Sequence, residues 1–338
     1  MIQEVLRSVV EGQDLAAEQA YGVMMEIMSG EALPSQMAGL LTALRMKGET
    51  VEEITGFAQA MRDHAVVIKP RAHPLVDTCG TGGDVIKTFN VSTAAALVAA
   101  GAGVTIAKHG NRSVTSRCGS ADVLEALDVK IDLGPAEVEQ CIDEVGIGFM
   151  FAPLFHPAMK HALPTRQELA IRTVFNILGP LTNPARAHAQ VLGVPSPALT
   201  ETMAGVLRNL GIERALVVHG LDGLDEISNL GETQITEVRD GRLVTDQVAP
   251  EQFGMARATA ADIRSGTPRE NAALLLEVFD GEQSPARDIV LLNAAAAIVA
   301  GALADDLSNG VSLAARSLDD GQTLAKLKEL QRYTNRRG

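Results

Sequence analysis

The chain has 338 residues, a length that suggests one large domain and a smaller one. Its 46% hydrophobic and 21% charged residues are typical of a compact globular protein. A formal net charge of −13 argues against a large nucleic-acid surface and against electrostatic docking to anionic membranes. Neither a signal peptide nor an apolar stretch as long as a membrane span is visible, so we expect a cytoplasmic protein without membrane or nucleic-acid partners. The three cysteines lack CxxC spacing and are predicted to be free thiols.

Residues 1–70 show only helical periodicity, which predicts a small N-terminal helical domain ahead of a larger domain over residues 71–338. Helices from residues 165–185 are candidates to join it. Ser35 and Thr50 are predicted N-caps. We expect a homodimer formed through the N-terminal helices, with the alternative that the larger domain covers their apolar side chains. The apolar positions behind this expectation are Val23, Met24, Met25, Ile27 and Met28.

From Pro74 onward, short β-branched runs alternate with Ala- and Leu-rich helical segments, a pattern that predicts an α/β fold with a mostly parallel central sheet. Asp240 and Gly241 predict a two-residue hairpin turn between the last two strands. The chain from residue 269 onward is predicted to be helical. The predicted strands are 75–78, 104–107, 129–133, 147–151, 189–194, 215–219, 234–239 and 242–247.

A glycine-rich loop follows the first predicted strand, in the stretch DTCGTGGDVIKTFNVST over residues 77–93. The strand is predicted to end at Thr78 and the next helix to begin near Ser92 or Thr93. Small residues let backbone N–H groups approach phosphate oxygens, and a helix N-terminus adds further donors, so the loop is a candidate anion cradle. An ordinary strand-to-helix turn is the alternative. The stretch matches neither a dinucleotide fingerprint nor a Walker A loop.

A cluster of cations and hydroxyl groups follows the second predicted strand, in VTIAKHGNRSVTSRCGSADVLEAL over residues 104–127. Lys108, Arg112 and Arg117 stand out in a chain of negative net charge. Lys supplies a point charge and Arg a planar fork, so the cluster indicates a multiply charged anion. A solvated basic loop is the alternative.

Four acids lie on the loop that follows the predicted strand ending at His219, namely Asp222, Asp225, Glu226 and Glu232. Neighbouring carboxylates repel each other, and a hard divalent cation relieves that repulsion. Mg²⁺ fits best, because it commonly binds one or two carboxylates together with substrate phosphate and water. A solvated acidic loop is the alternative.

Taken in order, the motifs GTGGD, NVST, KHGNR, GSADVLEAL, RQELAIRTVFNILGPLTNP and HGLDGLDEIS resemble those of the anthranilate phosphoribosyltransferases, over nearly the whole chain. The resemblance implies a helical domain hinged to a larger α/β domain, in the nucleoside-phosphorylase-like phosphoribosyltransferase fold, and a homodimer. It also implies transfer of phosphoribose from phosphoribosyl pyrophosphate (PRPP) to anthranilate, with release of pyrophosphate and use of two Mg²⁺ ions per active site. A pyrimidine nucleoside phosphorylase and a nucleic-acid-binding relative of the same fold are the alternatives.

The same resemblance assigns the site residues. Ser92 is expected to bind one Mg²⁺ ion, and Asp225 with Glu226 the second. Asn111 and Arg166 are expected to bind anthranilate, between walls formed by His109, Gly179 and Pro180. The residues expected to bind PRPP are Gly80, Gly83, Asp84, Thr88, Asn90, Ser92, Thr93, Lys108, His109, Gly110, Asn111, Arg112, Ser113, Val114, Thr115, Ser116 and Ser120.

Three further expectations concern single residues. For Arg166, the alternative to binding anthranilate is that it caps its helix or pairs with Glu168. Ala170 and Asp128 stand where the family often has glycine, which affects the expected local backbone shape. No residue is nominated as an essential general base, because an aryl amine loses its proton readily after it has attacked.

Overall fold

The computed structural model describes residues 1–83, 86–113 and 117–336. No helix in these ranges is long and apolar enough to cross a membrane. The N-terminal part folds into α1 (Ile2–Val10), α2 (Ala17–Met28), α3 (Pro34–Lys47) and α4 (Val51–Asp63). From residue 76 the order is β1 (Val76–Gly80), α5 (Val91–Gly101), β2 (Ile106–Gly110), α6 (Ser120–Ala126), α7 (Pro135–Val145), β3 (Ile147–Phe151), α8 (Ala152–Phe155), α9 (Leu163–Leu169), α10 (Phe175–Leu178), β4 (Ala189–Gly193), α11 (Ala198–Asn209), β5 (Arg214–Gly220), β6 (Thr233–Arg239) and β7 (Arg242–Val248). The chain then forms α12 (Pro268–Phe279), α13 (Pro285–Ala300), α14 (Leu307–Asp319) and α15 (Gln322–Thr334), and 3₁₀ turns occur at Pro157–His161, Gly179–Leu181 and Pro250–Phe253.

The described strands form one sheet of seven strands in the order β3-β2-β1-β4-β5-β6-β7. Strands β1 to β5 run parallel, and β6 and β7 are antiparallel additions at one edge. Asp240 (φ 50°) and Gly241 (φ 73°) join β6 to β7 in left-handed conformations, as the predicted two-residue hairpin requires. The α/β fold with a mostly parallel sheet is therefore confirmed.

The sheet separates two apolar cores. Neighbouring residues of one strand point to opposite faces, so that Val191 and Leu216 lie in one core while Leu192 and Val217 lie in the other. Helices α5 and α13 pack together in the first core, and α1–α4 and α11 contribute to the second. Both faces of the central strands are thereby buried, as a parallel sheet requires.

The apolar side chains of α2 are covered within the chain itself. Val23, Met24, Ile27 and Met28 are at most 3% exposed, and Met25 is partly buried against the same core. That core also contains residues of β4, β5 and α11, so the alternative that the α/β part covers them is correct. The expectation that this particular run forms an exposed dimer surface is wrong.

One of the two predicted N-caps is correct. Thr50 Oγ1 accepts a hydrogen bond from the Glu53 N–H (3.2 Å), and the Glu53 carboxylate accepts one from the Thr50 N–H (2.8 Å), which makes a capping box. Ser35 is not a cap, because α3 begins one residue earlier at Pro34. Proline suits the first helical position, since its φ is already helical and its missing N–H has no partner there.

The strand predicted over 129–133 does not form. Val129, Ile131 and Leu133 are buried, and the two residues between them carry exposed side chains, which gives the alternation of a strand. The segment instead lies against α15, where the Lys130 N–H donates to Thr334 Oγ1 (3.2 Å). Packing on a helix has produced the same period of two as pairing in a sheet.

Candidate active site

The glycine loop leaves β1 at the carboxyl edge of the parallel strands, as predicted. The Thr81 N–H still donates to the carbonyl of Gly193 at the end of β4 (2.9 Å), and the backbone turns away only at the next residue. Gly82 (φ 64°) and Gly83 (φ 95°) have left-handed conformations that side chains disfavour. The helix that follows begins at Val91 with Asn90 as its N-cap residue, slightly before the expected start.

The acidic loop after β5 lies directly against the glycine loop. Asp225 Oδ2 accepts a hydrogen bond from the Gly82 N–H (3.1 Å), and a Cβ added at Gly80 would lie 2.6 Å from the same oxygen. A Cβ at Gly193 would lie 1.7 Å from the Asp225 carbonyl oxygen. Glycine at these two positions therefore makes room for the acidic pair Asp225 and Glu226 beside the candidate phosphate cradle.

Asp222 belongs to the turn itself and not to the acidic pair. Its carboxylate accepts hydrogen bonds from Ser228 Oγ (2.5 Å) and from the Leu224 N–H (3.2 Å). Within the described residues, no cluster of three His, Cys, Asp or Glu side chains could hold a metal ion. A carboxylate pair beside a phosphate cradle nevertheless fits Mg²⁺, which takes its remaining ligands from substrate phosphate and water.

The start of α5 is held by hydrogen bonds from neighbouring elements. Thr78 Oγ1 donates to the Ser92 carbonyl (2.9 Å), and the Asn90 side chain donates to the Cys118 carbonyl (3.2 Å) and accepts from Asn271 (2.9 Å). Thr88 forms an isolated backbone bridge with Arg264. The Thr93 hydroxyl is buried and makes no hydrogen bond within the described part of the chain.

Lys108, His109 and Gly110 belong to β2 itself and not to the loop that follows it, so sequence analysis placed the end of this strand too early. Lys108 is buried, and its ammonium donates to the carbonyl and the hydroxyl (3.3 Å) of Thr78. Burial lowers the Lys108 pKa, and the nearby Asp77, Cys79 and Glu226 oppose that shift. Lys108 thus contacts the end of β1 just before the glycine loop and interacts electrostatically with Glu226 of the acidic pair.

The loop after β2 is organised by Asp122 of α6. This carboxylate accepts hydrogen bonds from the Ser113 N–H (3.1 Å) and the Gly119 N–H (2.8 Å), and Arg112 pairs with it and with Glu125. The Arg112 side chain is therefore engaged in exposed ion pairs. Asn111 accepts from the Arg112 N–H (2.8 Å), and Ser120 Oγ donates to the Asn111 carbonyl (3.3 Å). Four predicted site residues lie outside the described residues: Asp84, Val114, Thr115 and Ser116.

Arg166 lies on α9 with its guanidinium 5.0 Å from the centre of the Phe175 ring. The side chain is half-buried, and burial lowers its pKa. Within residues 1–83, 86–113 and 117–336, the guanidinium makes no ion pair, so pairing with Glu168 is not observed. An aromatic ring on one face leaves the edge of the guanidinium available for a planar carboxylate.

Comparisons with known proteins decide the family. Residues 3–65 match the family described as "Glycosyl transferase family, helical bundle domain", and residues 72–324 match "Glycosyl transferase family, a/b domain". The anthranilate phosphoribosyltransferase of Acetivibrio thermocellus is 52% identical over 99% of this chain and 97% of its own length, and that of Pelotomaculum thermopropionicum is 55% identical over the same shares. The chain belongs to the anthranilate phosphoribosyltransferase family.

Solved structures agree with that membership. The anthranilate phosphoribosyltransferase of Thermus thermophilus superposes with a TM-score of 0.93 at 45% identity, covering 98% of this chain and 99% of that one. The Saccharomyces cerevisiae enzyme, solved in complex with PRPP and Mg, gives a TM-score of 0.90 at 28% identity, with 98% and 97% covered. The helical domain joined to an α/β domain is thus the fold of this family.

Two side chains that contact predicted site residues were not predicted from the sequence. His156 lies 5.0 Å from His109, measured between ring centres, and burial lowers the pKa of His109 to about 3 and that of His156 to about 4. Both Nε2 atoms are buried without a hydrogen-bond partner among the described residues. The sequence signal for His156 was its position shortly after β3, because β3 neighbours β2 in the parallel sheet.

The second residue is Arg172, whose guanidinium donates a hydrogen bond to the glycine loop.

Proposed function

We propose that the protein transfers the phosphoribosyl group of PRPP to the amino group of anthranilate, giving N-(5-phosphoribosyl)anthranilate and pyrophosphate. This reaction is the second step of tryptophan biosynthesis from chorismate. The observation that carries the proposal is the contact between Asp225 and the Gly82 N–H, because it joins a carboxylate pair suited to Mg²⁺ with a loop suited to phosphate. Similarity to anthranilate phosphoribosyltransferases over 99% of the chain supports it.

The glycine loop and the start of α5 are the proposed seat of PRPP. The small residues of the loop allow a phosphate group to approach the backbone closely, and the N-terminus of α5 adds partial positive charge. Asp84, Val114, Thr115 and Ser116 remain proposed PRPP contacts, together with the other residues of the two loops. We further propose two Mg²⁺ ions, one bound by Ser92 and one by Asp225 with Glu226. Bound there, Mg²⁺ neutralises charge on the departing pyrophosphate.

The anthranilate pocket is proposed on the side of β2 opposite the proposed PRPP site. Arg166 pairs with the substrate carboxylate, and Asn111 adds a polar contact. The neutral rings of His109 and His156, with the Gly179–Leu181 turn, form the walls. A planar aromatic acid fits such a pocket, since one edge meets a cation while its faces meet rings and a turn.

The reaction requires little proton chemistry from the chain. The amine nitrogen forms a bond to the anomeric carbon, and the bond from that carbon to the pyrophosphate oxygen breaks, with its electron pair leaving on pyrophosphate. The transition state carries oxocarbenium character, so the site acts by holding the amine in line and stabilising the leaving charge. The attacking nitrogen then loses its proton to solvent or to pyrophosphate.

A homodimer and a cytoplasmic location complete the proposal. The helical domain, proposed as residues 1–70, exposes apolar side chains on faces other than the buried run of α2, with Val10 69%, Leu33 59% and Met46 83% exposed. We place the dimer contact on these faces. Sedimentation equilibrium at micromolar concentration is expected to give twice the chain mass of 35.6 kDa, and a single species of 35.6 kDa contradicts the dimer.

The test of the function is the loss of anthranilate fluorescence with PRPP and Mg²⁺. We expect turnover that depends on all three components. The same preparation is assayed for phosphorolysis of uridine and thymidine, and for salt-dependent binding of single-stranded DNA. Phosphorolysis without anthranilate turnover indicates a pyrimidine nucleoside phosphorylase, and DNA binding without either activity indicates a binding protein of the same fold.

A further inference from the structure

Arg172 contacts the glycine loop from a segment far away in sequence. Its Nη2 donates to the carbonyl oxygens of Gly82 (3.0 Å) and Thr81 (3.5 Å). The residue lies between α9 and α10, three residues before the buried Phe175. In the part of the chain that the structure describes, the Arg172 guanidinium makes no ion pair and bonds to these carbonyl oxygens.

Gly82 is consequently held by charged groups from two sides. Arg172 binds its carbonyl oxygen, and Asp225 binds its N–H at 3.1 Å. Hydrogen bonds to charged groups are stronger than those between neutral groups. Together, these two contacts fix the orientation of the peptide planes on either side of Gly82, which has no side chain to restrain its backbone.

Among the described residues, the only other hydrogen bond to the Gly82 backbone comes from the Thr81 hydroxyl (3.4 Å). Thr81 is still tied to β4 through the Gly193 carbonyl, but Gly82 and Gly83 both have positive φ and glycine samples many conformations. A Cβ added at Gly83 would lie 2.5 Å from Arg172 Nη1. The guanidinium therefore covers the face of the loop at Gly83 as well as bonding to Gly82.

We propose that Arg172 is a positioning residue for PRPP, acting by holding Gly82 in place between its own guanidinium and Asp225 and so fixing the shape of the glycine loop at the phosphate site. The inference rests on the proposed function, because it concerns how that site binds its phosphorylated substrate. An arginine bound to the carbonyl oxygens of Thr81 and Gly82 keeps these carbonyl dipoles from facing an anion in the site. Without the guanidinium, the loop samples peptide orientations that present carbonyl oxygens to a phosphate.

This role separates Arg172 from Arg166, six residues earlier in the same segment. Arg166 stacks on Phe175 and is assigned to anthranilate, whereas Arg172 bonds to the loop assigned to PRPP. Removal of each side chain should therefore raise the KM of a different substrate. A purely structural role for Arg172 gives no such division.

The test compares Arg172→Ala, Arg172→Lys and Arg172→Gln with Arg208→Ala, which removes an exposed arginine from α11. We expect Arg172→Ala to raise the KM for PRPP on the order of tenfold and that for anthranilate less than about twofold, because one charge-assisted contact to the loop is lost. Lysine should recover part of the PRPP affinity, since an ammonium reaches one carbonyl, and glutamine less. Arg208→Ala should change neither KM.

A second measurement does not depend on turnover. Hydrogen exchange of the Gly82 amide should accelerate at least about threefold in Arg172→Ala without PRPP, because loosening the loop opens the bond to Asp225. Faster exchange in a protein without anthranilate transfer supports the hold of Arg172 on the loop, whereas the missing activity rejects the proposed function and with it the role towards PRPP. Unchanged exchange, or equal rises in both KM values, overturns the positioning role even if the transferase activity is present.

Discussion

Substitution of Arg166 tests how the aromatic substrate is recognised. The Arg166 guanidinium is half-buried, stacks on Phe175 at 5.0 Å and makes no ion pair within the described ranges of the chain. Burial lowers its pKa, because the charged form loses hydration without gaining a carboxylate partner. A substrate carboxylate would supply that partner, so the interaction should be strong and specific to anthranilate.

The expected magnitude follows from the type of contact. A charge-assisted, bidentate hydrogen-bond pair contributes about 1.5–3 kcal/mol, which corresponds to a ten- to hundredfold loss in kcat/KM for anthranilate in Arg166→Ala. The KM for PRPP should change less than about threefold, since the contact belongs to one substrate. Arg166→Lys should recover only part of the loss, because an ammonium restores the charge without the planar fork.

A substrate lacking the carboxylate sharpens the assay. With pyrophosphate release as the readout, aniline and anthranilate are compared in the wild type and in Arg166→Ala. The difference in intrinsic reactivity of the two amines cancels in this cycle, leaving the coupling between the guanidinium and the carboxylate. We expect the preference for anthranilate over aniline to fall about ten- to hundredfold in the variant.

Phe175→Leu is a matched control, because it removes the stacking ring while keeping an apolar side chain in the core. A cation–π contact is worth about 0.5–2 kcal/mol, so this variant should show a smaller loss for anthranilate in the same direction. A selective rise in the KM for PRPP in Arg166→Ala would assign the guanidinium to the other substrate. Equal, minor changes for both substrates, with an unchanged preference over aniline, would return Arg166 to a structural role.

Three further outcomes are expected. Asp225→Asn combined with Glu226→Gln should weaken the Mg²⁺ dependence and depress turnover with the fold intact; an unchanged Mg²⁺ titration, with thermal melting as the folding control, removes the pair from the metal site. Burial lowers the pKa of His156 to about 4 in the folded chain, so the unfolded chain takes up a proton first and the free energy of unfolding falls as pH drops from 6.5 towards 4. His156→Gln should flatten this pH dependence, and an unaltered slope of unfolding free energy against pH contradicts the burial argument. Ala170→Gly should raise the free energy of unfolding by about 0.5–1 kcal/mol in denaturant titrations, because Ala170 has φ 51°; no gain would mean that the added flexibility of the unfolded chain offsets the relieved strain.

The fold was predictable from the sequence wherever the period of the buried residues matched the structure that the segment forms. The run 147–151 became a strand with the expected bounds, and the hairpin at Asp240 and Gly241 followed from turn chemistry alone. The segment 129–133 failed because burial against α15 gives the same alternation as a sheet, and sequence carries no sign of which partner lies opposite. The prediction for the apolar residues of α2 failed for the same reason, because tertiary packing decides which element covers an apolar helix face.

The loops of the site were predictable because each follows a strand of the parallel sheet. The glycine loop and the acidic pair come together at the edge where β1, β4 and β5 end, as the topology of such sheets demands. Arg172 was not predictable, since it belongs to no local pattern and contacts a loop distant in sequence. The one signal for His156 was its position shortly after β3. Ala170 and Asp128, noted as departures from glycine, both have positive φ, at 51° and 57°. The departures therefore fall where glycine would be unstrained.

The electrostatics of the site explain why a chain of net charge −13 can bind a polyanion. Positive charge at the glycine loop comes from the Arg172 guanidinium, and the start of α5 adds a helix dipole without formal charge. Lys108 is buried, and Arg112 is paired with Asp122 and Glu125, so neither is an exposed, freely steering cation. The carboxylate of Asp225 stands 3.1 Å from the Gly82 N–H and would repel a bare pyrophosphate group there. If PRPP binds here as proposed, a cation attracted by the same carboxylate offsets this repulsion, so we expect the acidic pair to favour metal-loaded PRPP over the free anion.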